Sequence, residues 1–434
     1  MKYRNIFLLL VLFGTVANTL SAQDNTKGYY KDLFVDGGIT LTSRNDLPAA
    51  VYLQLSMESF LCEAQKTTFS PADTLMQRQL IGGSPIDENG ILLYPDGQPR
   101  FRMFYMNGGT AARHGRSLGE EGKNSIRQFV RNGGSYVGSC AGAFIASRAV
   151  KGDSALKYLD SYLGIWQGLT ISTGIVKSQT RLTLDSISPL LRYYDFGGRL
   201  YVDSVRHNGG GFAVTDTDWP EGSEILARYD ISGRNFKLKR DIQGKPAIWA
   251  QKASRQSGRV IMCGSHPEFV ASGERLELMC AMVRYALDGN GEPQLKAELT
   301  NGKTRNMFCE TSDRKPEFTR IGDKQYHHFA VRVPEGTKTL KLNLRPKNGY
   351  NNYDLFLLAA PGHFAYLGDA AYKDLSTGAV KELVITDPKP GVFYVSVYCN
   401  TTVETEQTLY GTRYTGRLDV LNGVPYSITA EIQN

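Results

Sequence analysis

The sequence has 434 residues, a formal net charge of +7 and six cysteines. This length predicts roughly two or three domains, and the positive charge is spread along the chain without a basic block. Nucleic acid and anionic membrane surfaces are therefore not expected partners. Six cysteines also do not make a disulfide scaffold in a chain of this size.

The first residues have the features of a secretory signal peptide. Two basic residues precede an apolar run from Ile6 to Val16, and Leu20-Ser21-Ala22 follows it. The run is too short to span a bilayer and no later segment is apolar enough to do so. We therefore expect residues 1–22 to be a signal peptide and the mature protein to be exported, either periplasmic or secreted, without a membrane span.

Residues 31–64 predict a strand, a turn and a helix. The strand covers Asp32-Leu33-Phe34-Val35, and the helix runs through Val51, Leu55 and Phe60. The turn between them begins with Asp36 and Gly37, which either border a pocket or form a plain strand-to-helix connection. Residues 65–100 carry turn signals around one short strand and predict an excursion from the sheet.

A second strand, Met103–Met106, is followed by Asn107-Gly108-Gly109. We expect the next residues to form a loop that brings Arg113, His114 and Arg116 near the reacting group. Arg113 and His114 are candidates for binding a substrate carboxylate, although a solvated loop explains the same residues. A capping-box pattern then predicts a helix that starts at Ser117.

The stretch Gly138-Ser139-Cys140-Ala141-Gly142-Ala143 has the pattern of a nucleophile elbow between a strand and a helix. Glycines on both sides of Cys140 permit the sharp turn, because a Cβ there would clash with neighbouring backbone. We expect the thiol to stand above the sheet edge at a helix N-terminus, which favours thiolate. The backbone N–H of Ala141 would then point at a developing oxyanion.

Residues 150–256 are richer in strand patterns, at Leu169–Val176, Leu200–Val205, Glu224–Ala227 and Pro246–Ala250. The second of these strands runs into His207-Asn208 and a glycine triplet, which lets backbone approach a ligand closely. His207 and Asn208 are therefore candidates for substrate binding, while a hydrogen-bonded structural role for His207 remains an equal alternative.

Another short apolar strand, Val260–Cys263, ends in Gly264-Ser265 and presents His266, with Glu268 two residues later. A cysteine nucleophile needs a base to take its proton, and that base needs a third group to fix its tautomer. His266 and Glu268 fit these two roles, and Pro267 stiffens the turn between them. The predicted catalytic residues are thus Cys140, His266 and Glu268.

These motifs together resemble the class I glutamine amidotransferase-like superfamily, and within it the biotin-protein ligase N-terminal-like domains, whose elbow is similar. The resemblance covers roughly residues 30–290. It implies a flavodoxin-like, doubly wound α/β sheet. It also implies that Gly108 and Gly109 supply the second oxyanion N–H beside that of Ala141, and that the segment from Asn208 to Gly211 forms a pocket wall.

A linker follows the helix at residues 273–287, and the remaining chain reads as strands and turns only. Its strands predict a β-sandwich; they are Phe329–Val333, Leu340–Leu344, Tyr353–Leu358, Val392–Tyr398 and Tyr426–Ile432. Residues 310–434 resemble the prepeptidase C-terminal domain, which implies a jelly-roll-like appendage. We therefore predict an α/β domain over residues 23–290 and a sandwich over 296–434, the latter a candidate for binding carbohydrate or peptide.

The remaining cysteines and histidines give weaker predictions. Cys62, Cys263 and Cys280 fit a buried core role, although redox pairing of Cys263 with Cys140 stays open. Cys309 and Cys399 could form a disulfide within the sandwich. His327 and His328 project to opposite faces of a strand, so we expect no metal site there.

The predicted chemistry is attack of a thiolate on an acyl carbon, through a thioester that water resolves. Superfamily glutaminases pass ammonia to a synthase, but this chain has an export signal and a sandwich in place of a synthase domain. We predict an exported cysteine-dependent amidohydrolase or peptidase acting on a peptide or small amide, with no cofactor. The alternatives are a catalytically inactive amidotransferase-like binding protein of the cell envelope, or a peptidase whose nucleophile is a serine such as Ser139.

Overall fold

The computed structural model describes residues 28–36, 51, 54–55, 57, 59–62, 80–216, 219–270, 272–408 and 411–434, with backbone alone for 33–36, 59–62, 405, 407–408 and 411–413. The predicted signal peptide and Gly37 lie outside these residues. Asp36 is described by its backbone only. No helix in the part of the chain so described is long and apolar enough to cross a membrane.

Residues 28–291 contain helices and strands and are called the α/β unit below. Its helices are α1 Ala111–Arg131, α2 Ala141–Ala146 and α3 Glu274–Leu287. Its strands are β1 Lys31–Asp36, β2 Ser59–Cys62, β3 Phe101–Met106, β4 Ser135–Ser139, β5 Ser147–Lys151, β6 Leu156–Lys157, β7 Trp166–Ser172, β8 Ser178–Thr183, β9 Tyr201–His207, β10 Gly211–Ala213, β11 Ser223–Asp230, β12 Pro246–Lys252 and β13 Arg259–Cys263. Val51 and Leu55 are also helical, as predicted, but the predicted extension of that helix to Phe60 is wrong, because Phe60 lies in β2 and pairs with β1.

Nine of these strands form one mixed sheet in the order β2-β1-β3-β4-β13-β12-β11-β8-β9. The first five are parallel and the last four pair antiparallel. The central strands β3 and β4 are buried along nearly their whole length, as parallel strands covered on both faces must be. Successive residues enter two different cores: Tyr105 packs in one and Phe104 in the other.

The sheet is therefore mixed, and the α/β unit has a larger share of antiparallel strands than a doubly wound parallel fold. Strands β5, β6, β7 and β10 make a second, four-stranded sheet. The four strands predicted between residues 150 and 256 are confirmed as parts of β7, β9, β11 and β12. Strand β8 was not predicted, because its sequence Ser178–Thr183 is mostly polar and has no apolar run.

Helix α1 begins earlier than predicted. Arg113, His114 and Arg116 lie in its first turns, so the predicted loop at these positions is wrong. Gly119, with a φ of 66° and a ψ of −178°, interrupts the helix internally. The Ser117 hydroxyl donates to the carbonyl oxygen of His114 at 2.7 Å, so the capping-box pattern lies inside the helix and does not mark its start. The N-cap is Thr110, a residue type that is favoured at this position, although it makes no side-chain capping bond.

Residues 295–434 contain only strands and short 3-10 turns in their described part and are called the sandwich unit. Its strands are β14 Leu295–Glu298, β15 Arg305–Met307, β16 Tyr326–Val333, β17 Thr339–Pro346, β18 Leu355–Pro361, β19 Tyr372–Asp374, β20 Lys381–Thr386, β21 Gly391–Cys399, β22 Glu404–Thr408, β23 Gly411–Thr415 and β24 Tyr426–Gln433. All five strands predicted here are confirmed. A five-stranded sheet (β14-β16-β21-β18-β19) and a four-stranded sheet (β15-β24-β17-β20) share one apolar core.

A buried charged cluster joins the two units. The guanidinium of Arg100 is fully buried, with its nitrogens 3.5 Å from an Asp87 oxygen and 3.6 Å from an Asp323 oxygen of the sandwich unit. Beside it, the ammonium group of Lys296 pairs with Asp96. Buried charges are tolerated only when they are paired, so these contacts fix one docking arrangement of the units.

Replacing Arg100 by alanine should destabilise the protein by about 3–5 kcal/mol, because two buried carboxylates then lose their counter-charge. Chemical denaturation followed by tryptophan fluorescence measures this change. The matched control is Arg332→Ala, which removes an exposed ion pair with Glu298 and should cost no more than about 1 kcal/mol. Equal effects of the two variants would show that the buried cluster does not stabilise the docked units.

Candidate active site

Cys140 occupies the turn between β4 and α2. Its backbone has φ 49° and ψ −101°, a left-handed conformation that is strained for a residue with a side chain. The flanking glycines make this turn possible by their small size. A Cβ at Gly138 would lie 2.5 Å from the carbonyl carbon of Gly142, and one at Gly142 would lie 2.1 Å from the oxygen of Met106.

Backbone hydrogen bonds hold the elbow between its two neighbouring strands. The N–H of Cys140 donates to the carbonyl oxygen of Cys263 at the end of β13 (2.8 Å), and the N–H of Gly142 donates to that of Asn107 after β3 (3.1 Å). The Cys140 thiol is nearly buried, and its sulfur lies 3.6 Å from the carbonyl oxygen of Asn208. The thiol therefore has a defined position at the carboxyl edge of the parallel strands.

His266 is placed by the strand that neighbours β4. It follows β13 by three residues, and its N–H donates to the carbonyl oxygen of Arg206 at 2.8 Å. Its Nδ1 lies 2.7 Å from Glu268 Oε1, and both side chains are buried. Because Nδ1 faces the carboxylate, Nε2 is the ring nitrogen left to face the thiol.

The charge state of His266 follows from these neighbours. Burial alone would lower its pKa, but the neighbouring side chains of Cys140 and Glu268 raise the pKa to about 10. The imidazole is therefore protonated at neutral pH. An imidazolium beside a cysteine sulfur stabilises the thiolate, which is the nucleophilic form. The Phe269 ring packs edge-on against the imidazole with centroids 5.2 Å apart and covers it on one side.

The loop after β3 lies against this histidine. A Cβ at Gly108 would come within 2.5 Å of His266 Cε1, so only glycine fits there without moving the ring. Gly109 has a φ of 137°, which favours glycine. Ala141 is the first residue of α2, and the N–H groups of a first helical turn have no partner within the helix. The structure thus brings Gly108 beside His266 and Ala141 beside Cys140.

Arg113 and His114 occupy different environments from each other. Arg113 is exposed on α1. The His114 ring is buried under the glycine loop, where a Cβ at Gly109 would lie 2.8 Å from its Nε2. Burial lowers the pKa of His114 to about 4, against a smaller opposing effect of the Gly108 backbone. The His114 ring is therefore neutral and can support the loop by packing. Pairing with a substrate carboxylate would require a positively charged ring.

His207 also lies inside the protein. Its Nε2 is 2.7 Å from Thr173 Oγ1 and its Nδ1 is 2.9 Å from Ser265 Oγ, so both ring nitrogens already have partners. Burial, and the charge of His266 to a lesser extent, lower its pKa to about 4. These contacts match the hydrogen-bonded structural role that was the alternative to substrate binding for His207. Its ring holds the side chain of Ser265, the residue immediately before His266.

Asn208 contributes its backbone to the site. Its carbonyl oxygen is the one beside the Cys140 sulfur, while its side-chain oxygen accepts a hydrogen bond from the N–H of Lys177 at 3.0 Å. The glycines that follow approach the end of β13 closely. A Cβ at Gly210 would lie 1.6 Å from the carbonyl oxygen of Gly264, so the predicted wall is backbone packed on backbone.

Four further cysteines are free thiols, namely Cys263, Cys280, Cys309 and Cys399, so Cys309 and Cys399 do not form a disulfide. Cys263 is buried next to the elbow, and burial raises its pKa well above the usual value for a thiol. Among the described residues, no group of three His, Cys, Asp or Glu side chains is arranged to hold a metal ion.

Comparison with known proteins supports the resemblance found in the motifs. Residues 85–161 match the family model described as the N-terminal region of biotin-protein ligase. This match confirms the predicted resemblance over these residues, which include Gly108, Gly109 and Cys140 but not His266. No curated protein matches the chain.

Similar solved structures are distant from this chain. A glutamine amidotransferase is 19% identical over 42% of this chain and 80% of its own, with a TM-score of 0.29. The pre-peptidase C-terminal domain of a collagenase from Bacillus anthracis is 10% identical over 32% of this chain and 100% of its own, with a TM-score of 0.19. PliG from Aeromonas hydrophila, a periplasmic inhibitor of g-type lysozyme, is 17% identical over 25% of this chain and 76% of its own, with a TM-score of 0.17.

The contact between Gly108 and His266 leads to a direct test. Gly108→Ala should displace the imidazole and slow alkylation of Cys140 by iodoacetamide at pH 7 at least about tenfold, because loss of the ion pair returns the thiol to its ordinary reactivity. Thr110→Ala is the control, since this exposed residue makes no side-chain capping bond. An unchanged rate in a folded Gly108→Ala protein would mean that the ring position does not control the thiol.

Proposed function

We propose that this protein is a cysteine-dependent amidohydrolase or peptidase with Cys140 as nucleophile, His266 as acid and base, and Glu268 as the group that orients His266. One observation carries the proposal: a buried imidazole that hydrogen-bonds to a carboxylate on one side and interacts with a strained elbow cysteine on the other. Such a chain of nucleophile, base and orienting group is the arrangement of covalent acyl-transfer catalysts.

The sheet supports the same interpretation. Its parallel part has the strand order β2-β1-β3-β4-β13, which corresponds to the flavodoxin-like order 2-1-3-4-5. We assign the α/β unit to this class, extended by the antiparallel strands β12, β11, β8 and β9. In open α/β sheets ligands bind at the carboxyl ends of the strands, and Cys140 and His266 both follow such ends.

In the first half of the proposed reaction, the Cys140 thiolate attacks the carbonyl carbon of an amide and forms a carbon–sulfur bond. The carbonyl oxygen becomes an oxyanion, which the N–H groups of Ala141 and of the Gly108–Gly109 loop stabilise. When the tetrahedral intermediate collapses, the carbon–nitrogen bond breaks and His266 gives its proton to the leaving amine. A thioester on Cys140 and a free amine result.

In the second half, water attacks the thioester. His266, now neutral, takes a proton from the water, and the carbon–sulfur bond breaks to release a carboxylic acid and the thiolate. Glu268 remains ionised throughout and holds the imidazole through Nδ1. The reaction needs no oxidant, no reductant and no co-reactant other than water. The atoms and charges of the amide and the water molecule are all found in the two products, the amine and the carboxylic acid.

We also propose that the enzyme is exported and acts on a peptide or small amide outside the cytoplasm. The support is the basic and apolar pattern of residues 1–22 together with the sandwich unit. We keep Arg113, which is exposed on α1, as the candidate for binding a substrate carboxylate.

The pH dependence of thiol reactivity tests the ion pair. Because the pKa of His266 is raised to about 10, the imidazolium that can stabilise a neighbouring thiolate is present at neutral pH and is lost as the pH rises through about 10. We expect alkylation of Cys140 by iodoacetamide to be fast well below pH 8.5, where an ordinary thiol is mostly protonated. Peptide mass mapping measures the rate at each pH.

The same experiment contains its controls. Cys309 is a free and partly exposed thiol of the same chain, and its alkylation profile is the internal reference. His266→Ala should bring Cys140 to that profile, whereas His363→Ala, at an exposed histidine of the sandwich unit, should change nothing. A slow Cys140 that ignores His266 would instead indicate an inactive amidotransferase-like binding protein.

Turnover provides the second test. Incubation with a library of amino-acid amides and short peptides should release amine, and Cys140→Ala should reduce the rate by at least about a thousandfold, as loss of a covalent nucleophile does in related chemistry. Ser139→Ala should retain activity, since Ser139 is one residue from the apex of the elbow. Activity that survives Cys140→Ala but disappears in Ser139→Ala would transfer the nucleophile to the serine.

A further inference from the structure

A cleft of about 400 Å³ lies where the α/β unit meets the sandwich unit. One wall is formed by the loop from Tyr94 to Pro99 and the end of α1, and the facing wall includes Tyr326 and Tyr366 of the sandwich unit. Concave sites of this volume at the boundary between two structural units are typical positions for small ligands.

This cleft is separate from the candidate active site. Its loop ends at Pro99, immediately before β3, while the Gly108–Gly109 loop begins immediately after that strand. Six residues of strand, at about 3.3 Å each, span roughly 20 Å. The cleft and Cys140 therefore lie at opposite ends of the same parallel strands, and one small substrate cannot occupy both.

Aromatic rings dominate one side of the cleft. Tyr326 stacks on His328 with centroids 5.8 Å apart and planes 17° apart, and Tyr366 meets Tyr326 edge-on at 5.1 Å. Tyr29 and Tyr366 are half-buried and line the opening. Tyrosine offers a flat apolar face together with a hydroxyl group, which suits ligands that have both apolar and hydroxyl surfaces.

The polar groups of the cleft are mainly uncharged. The side-chain amides of Gln98, Gln128 and Gln294 line it and make no hydrogen bond within the described residues. Each amide both donates and accepts hydrogen bonds, as each hydroxyl of a sugar does. The charged pair at the base is already satisfied, because Lys296 binds Asp96 and donates to the Pro316 carbonyl oxygen at 2.8 Å.

We propose that this cleft binds a neutral carbohydrate, as a second site independent of the chemistry at Cys140. Tyr326 is buried against His328 and Tyr398, so the half-buried rings of Tyr29 and Tyr366 are the ones that can pack on the C–H faces of sugar rings. The three amides match the sugar hydroxyls in both donating and accepting. An anionic glycan is disfavoured, since the Glu292 and Glu317 carboxylates also line the cleft and the ammonium group of Lys296 is already paired with Asp96. The resulting site would hold a saccharide at the end of the sheet remote from the thiol.

Calorimetric titration of the purified protein with cellohexaose, xylohexaose, chitohexaose and maltohexaose tests this site. We expect at least one of these to bind saturably. Tyr366→Ala and Gln128→Ala should each weaken that binding at least about tenfold, equivalent to about 1.4 kcal/mol. Gln128 is on the surface of α1, where alanine is well tolerated, so this variant remains informative if Tyr366→Ala fails to fold.

Matched controls define the outcomes. Tyr372→Ala removes an exposed tyrosine of the sandwich unit outside the cleft and should leave the affinity unchanged, as should Cys140→Ala. The proposal fails if none of the four hexasaccharides binds, or if binding survives both cleft variants. It also fails if gelatin peptides bind instead and are lost in the same variants, which would make the cleft a polypeptide site.

Discussion

The arrangement of the candidate site depends on the parallel pairing of β4 with β13. In this register Ser139 lies opposite Cys263, so the two strands end together and their next residues enter the same space. Cys140 follows one strand directly and His266 follows the other after Gly264 and Ser265. The hydrogen bond from the Cys140 N–H to the Cys263 carbonyl oxygen continues the pairing into the elbow and fixes the distance between the two segments.

Close backbone packing then determines how the segments around that edge can fit. The elbow packs on the loop after β3 at Gly142, and the segment after β9 packs on the end of β13 at Gly210. At each contact a Cβ would overlap with a backbone oxygen, which cannot move without moving its strand. At these two positions glycine is needed because it lacks a Cβ and lets two backbone segments pack closely. The residue with a positive φ at the elbow is Cys140 itself. The strain at the nucleophile is held in place by these surrounding contacts.

The sequence predicted those parts of the site that depend on residues close together in the chain. The glycines two residues from Cys140 and the spacing of His266 and Glu268 determine a turn and a hydrogen bond within a few residues. The surroundings of His114 and His207 were harder to predict, because their partners, such as Ser265, are distant in sequence. The sandwich strands were predictable from alternating apolar residues, whereas β8 is a polar strand whose pairing on both sides specifies it.

The contacts between the units have the same long-range character. Arg100, Asp87 and Asp323 carry no sequence pattern that pairs them, yet burial of all three requires the sandwich unit to sit on the amino-terminal end of the parallel strands. This position leaves the carboxyl ends, with Cys140 and His266, on the far side of the sheet. Within the described residues, the sandwich unit therefore contributes no wall to the thiol site. Strand β3 separates the two regions by its whole length, so any influence of the sandwich unit on the proposed reaction would act from a distance and not through contact with the thiol.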